Sequence, residues 1–158
     1  MPGKIDAVTQ FLNEQEVGYD LIEHEERFTA AAEARASGAG PEDAAKDVVL
    51  RTDDEYLLAV IPGSERLDLH KVRDLVGAEK HDLRMATEDE LAADFPGFEV
   101  GALPPFGPLH EIEQIVDRRL LEHDRVLCSS GDHRHSLALD PNEMVRIANA
   151  QVADISQD

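Results

Sequence analysis

A chain of 158 residues with 42% hydrophobic content is long enough to bury one substantial core. Its 34 acidic residues against 15 lysines and arginines give a formal net charge of −19, a surface that repels polyanions at low ionic strength. No apolar stretch approaches the length of a membrane span, the opening MPGKIDAVTQFLNEQE is unlike a signal peptide, and a single cysteine, Cys128, excludes an internal disulfide, so the expectation is one soluble, cytoplasmic domain over residues 1–158.

Only four of the basic residues are lysine. One reading of this balance is a salt-adapted host, in which carboxylates keep the surface hydrated and molar salt shortens the Debye length to about 3 Å. The plainer reading is an acidic protein of an ordinary cell.

Taken in chain order, Ile5, Val8, Phe11 and Leu12 recur at helical spacing and predict an amphipathic helix over residues 4–17 that ends near Gly18. Tyr19 to His24 reads as a short strand. Thr29 caps an alanine-rich helix over residues 30–36, closed by Ser37-Gly38. Residues 47–51 and 56–61 are β-rich runs joined by Thr52-Asp53-Asp54-Glu55, the pattern of a hairpin, and Pro62-Gly63-Ser64 ends the second run. A short helix over residues 67–76 and a strand over residues 81–85 follow. Thr87 with Glu90 then forms a capping box for a helix reaching about residue 93.

Beyond the Gly/Pro segment, strands are predicted over residues 110–116, 125–129 and 134–139. In the last of these Ser136 and Ala138 alternate with Leu137 and Leu139. Asp140-Pro141-Asn142-Glu143 supplies an N-cap, a proline at the first helical position and a capping glutamate for a helix to about residue 150. Residues 151–155 form a last edge strand. The fold class is α/β: a compact, mixed but largely antiparallel sheet, because several connections are too short for crossovers, surrounded by helices.

The chemistry-bearing features are few. There is no G-x-S-x-G, P-loop, dinucleotide fingerprint or C-x-x-C. Cys128 sits mid-strand beside Val126 and Leu127 and reads as a buried structural thiol. His133-x-His135 would put two imidazoles on one face of a strand, with His24 or His110 as further ligands. The usual zinc spacings are missing, however, and surface histidine is the commoner explanation. Lys46 stands apart because its neighbours Val48, Val49 and Leu50 are apolar. A lysine there is either an edge-strand charge that discourages aggregation or a point charge for a phosphate or a developing oxyanion. In Gly101-Ala102-Leu103-Pro104-Pro105-Phe106-Gly107, glycines bracket a rigid Pro-Pro pair and an aromatic, more constraint than a mobile loop needs.

These residues resemble the YbaK/prolyl-tRNA-synthetase editing-domain family, the trans-editing aminoacyl-tRNA deacylases. The resemblance covers essentially the whole chain. It runs through Tyr19 to His24, the alanine-rich stretch from Thr29, Ala45-Lys46-Asp47-Val48-Val49-Leu50, Val60-Ile61-Pro62-Gly63, Arg66-Leu67-Asp68-Leu69-His70-Lys71, the segment Gly101–Gly107 and Ser129-Ser130-Gly131-Asp132-His133-Arg134-His135-Ser136. It implies a barrel-like mixed β core and hydrolysis of the ester between a wrong amino acid and tRNA, with no protein nucleophile, no metal and no cofactor.

Under the resemblance Lys46 contacts the tRNA 3′ end. Gly101 places main-chain groups near the scissile carbonyl and the reacting water, which the substrate's terminal ribose hydroxyl assists. Tyr19, His24, Thr29, Pro105, Phe106, Gly107, Gly131, Asp132 and His133 line the substrate pocket, where a Pro-Pro-Phe wall would sieve small side chains. The implied partners are the acceptor end of an aminoacyl-tRNA and a synthetase, with the chain a monomer or weak homodimer. Two groups, Arg118, Arg119 and Arg125, and Lys71, Arg73, Lys80 and Arg84, are candidates for local positive patches. The loop differs from cysteine-specific relatives, which leaves alanine, serine or threonine as the edited residue. Two other readings stand beside this one: a non-catalytic module that binds aminoacyl-tRNA or a synthetase on the same fold, and a metal-dependent hydrolase using His133 and His135.

Overall fold

Helix α1 (Asp6–Glu14) buries Val8 and Leu12, two of the residues whose spacing predicts it. The chain leaves it through a left-handed Glu16 (φ 59°), ahead of the expected stop at Gly18. The computed structural model describes residues 5–25, 40–77 and 82–158. Thr29, Lys80 and the helix predicted over 30–36 therefore lie outside the described residues, as does the start of the strand predicted over 81–85.

Strand β1 (Asp20–Glu23) is followed, past a 3-10 turn at Pro41–Asp43, by β2 (Ala45–Arg51) and β3 (Tyr56–Pro62). The last two form the predicted hairpin, pairing antiparallel from Ala45–Pro62 to Arg51–Tyr56. Helix α2 (Leu69–Val76) starts two residues later than predicted because the Asp68 side chain accepts the Lys71 N–H as its N-cap. A two-residue β4 (Arg84–Met85) leads to α3 (Glu88–Asp94), where the Thr87/Glu90 capping box is complete in both directions.

The strand expected over residues 110–116 is divided. Pro108 begins a helical turn, α4 (Gly107–His110), a left-handed Glu111 (φ 59°) ends it, and β5 is confined to Glu113–Asp117. A 3-10 segment (Arg118–Glu122) then precedes β6 (Val126–Ser129), β7 (His135–Leu139), α5 (Pro141–Ala148) and β8 (Gln151–Ala153). Asp140 caps α5 by accepting the Asn142 N–H, as its sequence predicts.

The strands make two sheets, ordered β1-β7-β6 and β4-β2-β3-β5-β8. They meet at a parallel bridge between Ala44 and Leu127. The hairpins are antiparallel, but β3–β5 and β5–β8 are parallel. Both parallel pairs join strands separated by long connections that carry helices, the requirement for a crossover. The short loops that favour antiparallel pairing thus hold for the hairpins alone.

The run Tyr56–Pro62 is buried at every position but its first because both faces of β3 are covered. On one face Leu58 and Val60 pack with Ala45, Val49, Phe106, Leu137 and Met144 in the main core. On the other, Leu57, Ala59 and Ile61 pack with Val48, Leu50 and Val72 of α2. Cys128 is buried in the main core, as expected of a structural thiol.

The C-terminal segment is held by Asp117, which is fully buried and accepts from the Ile155 and Arg119 N–H groups, the Ser156 hydroxyl and the Arg119 guanidinium. Burial pushes its carboxyl up, but these hydrogen bonds outweigh burial and hold it below the usual range. Asp154 bridges Arg119 at 2.8 Å and Lys71 at 3.2 Å, and its pKa is lowered to about 2 by those two cations.

With a net charge of −19, the folded chain carries appreciable self-repulsion. Its melting temperature is expected to rise as KCl is raised from ~0.1 M to ~1 M, where the Debye length falls from about 10 Å to about 3 Å. A melt that is flat or falls across that range overturns the salt-adapted reading.

Candidate active site

The turn between β6 and β7 is where the Gly101 segment meets Gly131, Asp132 and His133. Gly131 there adopts φ 110°, donates its N–H to the Ala102 carbonyl (2.9 Å) and accepts the Glu99 N–H (2.8 Å). Two backbone bonds thus dock the segment 99–102 onto this turn. His133 adds two more links: its N–H donates to the Glu99 carboxylate (2.9 Å) and its Nε2–H to the Val100 carbonyl (2.8 Å). The metal reading sets His133 and His135 on one face of a strand, whereas β7 begins only at His135 and His133 belongs to the turn. The two rings take separate partners, His135 Nδ1 bonding to Asp132 at 2.9 Å. Among the described residues no group of three or more His, Cys, Asp or Glu is arranged to hold a metal ion.

Asp132 organises the turn. Its carboxylate accepts from the N–H groups of Arg134 and His135 as well as from the His135 ring. Burial raises its pKa, yet those donors prevail and keep it below the usual carboxylate range. The group is an anchored anion rather than a general acid.

Gly101 is exposed and adopts φ 87°, a conformation open to glycine and strained for other residues. A Cβ built there would lie 3.4 Å from His133 Cε1, so the backbone runs against the imidazole. Among the described residues no acceptor takes the N–H groups of Gly101 and Leu103. The rest of the loop is sunk. Pro105 and Gly107 are buried, and Phe106 has no exposed surface and packs in the main core, 5.9 Å from the ring of Phe11. Phe106 thus anchors the loop from below, and the accessible part is the Gly101 end.

The register places Lys46 next to this turn. The parallel Ala44–Leu127 bridge brings the start of β2, two residues before Lys46, alongside β6, two residues before Ser129. Lys46 is exposed and its ammonium makes no hydrogen bond or ion pair with the described residues. Strand pleating carries the same face across Ser129 to its partner Ser136 and on to Ile22 in β1. His24 completes that face: Nδ1–H donates to the Glu25 carbonyl (2.6 Å), which in the neutral ring leaves Nε2 to accept the Ser136 hydroxyl proton (2.9 Å). Ser129 and Ser136 escaped the sequence reading, since their role as neighbours of Lys46 and His24 follows from register alone. Tyr19 is half-buried against the main core, with its hydroxyl 3.4 Å from the Asn13 side chain.

The suggested positive patches are mostly neutralised. Arg119 and Lys71 are held by Asp117, Asp154 and Asp158, Arg84 by Glu90, and Arg125 by Asp20 and the Ala138 carbonyl. Arg73 donates to the Leu83 carbonyl, and Arg118 stays largely exposed, 4.0 Å from Asp154. A cavity of about 570 Å³ lined by Pro62, Ser64, Arg118, Arg119 and His123 contains none of the predicted site residues.

Comparison with known proteins identifies the family. The family model of the aminoacyl-tRNA editing domain matches residues 24–147, which include Lys46, Gly101 and the β6–β7 turn. The chain is 27% identical over 150 residues to the prolyl-tRNA editing protein ProX of Acetoanaerobium sticklandii, covering 91% of this chain and 90% of that one. It is 34% identical over 90 residues to a proline–tRNA ligase of Heliobacterium modesticaldum, a match to 57% of this chain and 15% of the ligase. Among solved structures, a chain described as a trans-editing enzyme for prolyl tRNA synthetase superposes with a TM-score of 0.86 at 29% identity, covering 100% of this chain and 99% of that one. With most of its length and its whole β core matched, the chain belongs to the family of aminoacyl-tRNA editing domains and is an aminoacyl-tRNA deacylase.

Proposed function

We propose that the chain clears a small, wrongly attached amino acid from tRNA in trans, gripping the acceptor end between Lys46 and the Gly101 segment. The observation that carries this reading is the pair of main-chain N–H groups at Gly101 and Leu103 that find no acceptor among the described residues, beside a turn whose neighbouring strand bears Lys46, which makes no hydrogen bond or ion pair with the described residues. Main-chain donors aimed at a carbonyl oxygen stabilise the charge that develops as water adds to the carbonyl carbon. The C–O bond to the ribose then breaks, and the proton of the attacking water ends on the departing ribose oxygen, with the adjacent ribose hydroxyl relaying it. A ribose ester is more activated than an amide, so positioning and polarisation suffice without a protein nucleophile.

Lys46 supplies a point charge for the terminal phosphate. The turn Gly131–His133 borders the amino-acid side. Relatives named for prolyl-tRNA editing and for proline–tRNA ligation point to a tRNA for proline as the carrier. Because the cations outside Lys46 are largely engaged by carboxylates, the tRNA body finds little to bind, and a synthetase holding it would complete recognition. Editing is needed because a synthetase pocket rejects a slightly smaller or isosteric amino acid by only ~10–200-fold.

The test is a deacylation panel of alanyl, seryl, threonyl and cysteinyl esters of tRNA for proline. Release of at least one small amino acid well above the uncatalysed rate, with cysteine the poorest, is expected. Binding of those esters with no hydrolysis would overturn the catalytic reading in favour of a binding module.

A further inference from the structure

The back of the Pro-Pro loop is held by two side chains that are not themselves among the residues predicted to line the substrate pocket. Gln114, on β5 and only 3% exposed, meets the loop with both ends of its carboxamide: Oε1 accepts the Gly107 N–H at 2.7 Å, and Nε2 donates to the Pro105 carbonyl at 2.8 Å. His110, at the end of α4, donates its Nε2–H to the Pro104 carbonyl at 2.8 Å. The edges of Phe95 and Phe98 wall its ring in, with centroids 5.8 and 5.1 Å away, and burial lowers the pKa of the imidazole. Gly107 is where this arrangement is tightest, for a Cβ there would fall 2.4 Å from the Ile112 carbonyl oxygen.

Consecutive carbonyls at Pro104 and Pro105 and the amide at Gly107 are thus tied to β5 and α4, while segment 99–102 is tied to the β6–β7 turn. We propose that Gln114 and His110 are positioning residues that clamp the Pro-Pro loop from behind and so set where the Gly101 and Leu103 amides sit against the ester. This rests on the deacylase reading for its effect on turnover, though the clamp itself does not. Proline removes two N–H groups from the loop, so its internal hydrogen bonding is sparse and side chains must supply the restraint. A buried amide that both donates and accepts fixes the peptide on each side of Phe106, a restraint an apolar side chain of equal size cannot give.

Gln114→Glu tests this directly. A protonated carboxyl donates to Pro105 and accepts from Gly107 as the amide does, whereas an ionised one cannot donate. Burial raises the carboxyl's pKa into a workable range. Relative to wild type, kcat of Gln114→Glu is therefore expected to be near normal at about pH 5.5 and to fall by ~10–100-fold toward about pH 8, with KM changed by less than ~3-fold, since a small misplacement of a reacting group costs up to ~10² in rate. Gln114→Leu should show the full loss at every pH. His110→Phe should lose ~3–10-fold, because the Phe106 N–H remains on the Pro104 carbonyl. Hydrogen exchange at the Ala102 and Gly107 amides of Gln114→Glu, read alongside far-UV circular dichroism, should accelerate relative to wild type at each pH as the pH rises over the same range. A variant whose profile and exchange both track wild type overturns the clamp. If wild type deacylates no ester while the exchange pattern appears as expected, the deacylase reading fails and the clamp stands.

Discussion

Lys46→Ala should reduce kcat/KM for ester release by roughly 10²–10³-fold while moving the melting temperature by no more than about 2 °C. The two halves of that expectation have one cause. Lys46 is exposed and makes no hydrogen bond or ion pair with the described residues, so its removal leaves nothing in the fold unpaired. Surface changes of that kind stay within ~0.5 kcal/mol. The effect on turnover comes from the ligand, whose phosphate or oxyanion loses a fixed cation, and the chain's 34 acids supply no replacement. Steady-state deacylation beside a thermal melt decides it. Turnover close to wild type removes Lys46 from the mechanism, and a large drop in melting temperature reassigns it to the fold.

Asp117→Ala should do the reverse, costing stability while sparing the site. Its fully buried carboxylate accepts from Ile155, Ser156 and Arg119, and removal strands the Ile155 and Arg119 N–H groups and the Ser156 hydroxyl, while the Arg119 guanidinium keeps Asp154. Breaking a buried charged network usually costs 3–5 kcal/mol, and Arg119 reaches solvent, so about 3 kcal/mol is expected. For a chain of this size that is a fall of roughly 6–12 °C in melting temperature. The folded pKa of Asp117 lies below its unfolded value, so its stabilisation is present above the ordinary carboxylate range and is lost as pH falls through the folded value. Asp117→Asn should therefore trail wild type at neutral pH and converge with it in acid. Equal denaturant midpoints for wild type and Asp117→Ala at neutral pH would sink this account.

Local chemistry was legible wherever it decides structure by itself. The Thr87/Glu90 capping box, the Asp140-Pro141 helix start and the hairpin across Thr52–Glu55 depend on residues within a few positions of one another, and each is found where the sequence places it. The failures involve partners distant in sequence. The strand predicted from His110 gives way to a helical turn because Pro108 favours one and the His110 ring is drawn to the Pro104 carbonyl. The parallel pairs of β5 with β3 and β8 depend on long connections whose paths no local pattern reveals.

The site divides in the same way. Gly101 stands out by glycine punctuation and Gly131, Asp132 and His133 by the family resemblance, and the structure docks segment 99–102 onto the turn that holds the last three. Phe106 reads as a pocket wall from its place between proline and glycine, and only three-dimensional packing shows it facing the core. Ser136 looked like an ordinary strand alternation until the β1–β7 register set His24 against it.

Because β2 and β3 are covered on both sides, Lys46 has no freedom to slide. A shift by one position would press its ammonium among Leu58, Val60 and Phe106 and turn Val49 toward α2. Point substitutions along this hairpin are therefore tolerable where volume is kept, but insertions and deletions are not. Divergence among descendants of this chain should concentrate in the bends that border the ester, changing which amino acid is removed without touching the strand that aims the lysine.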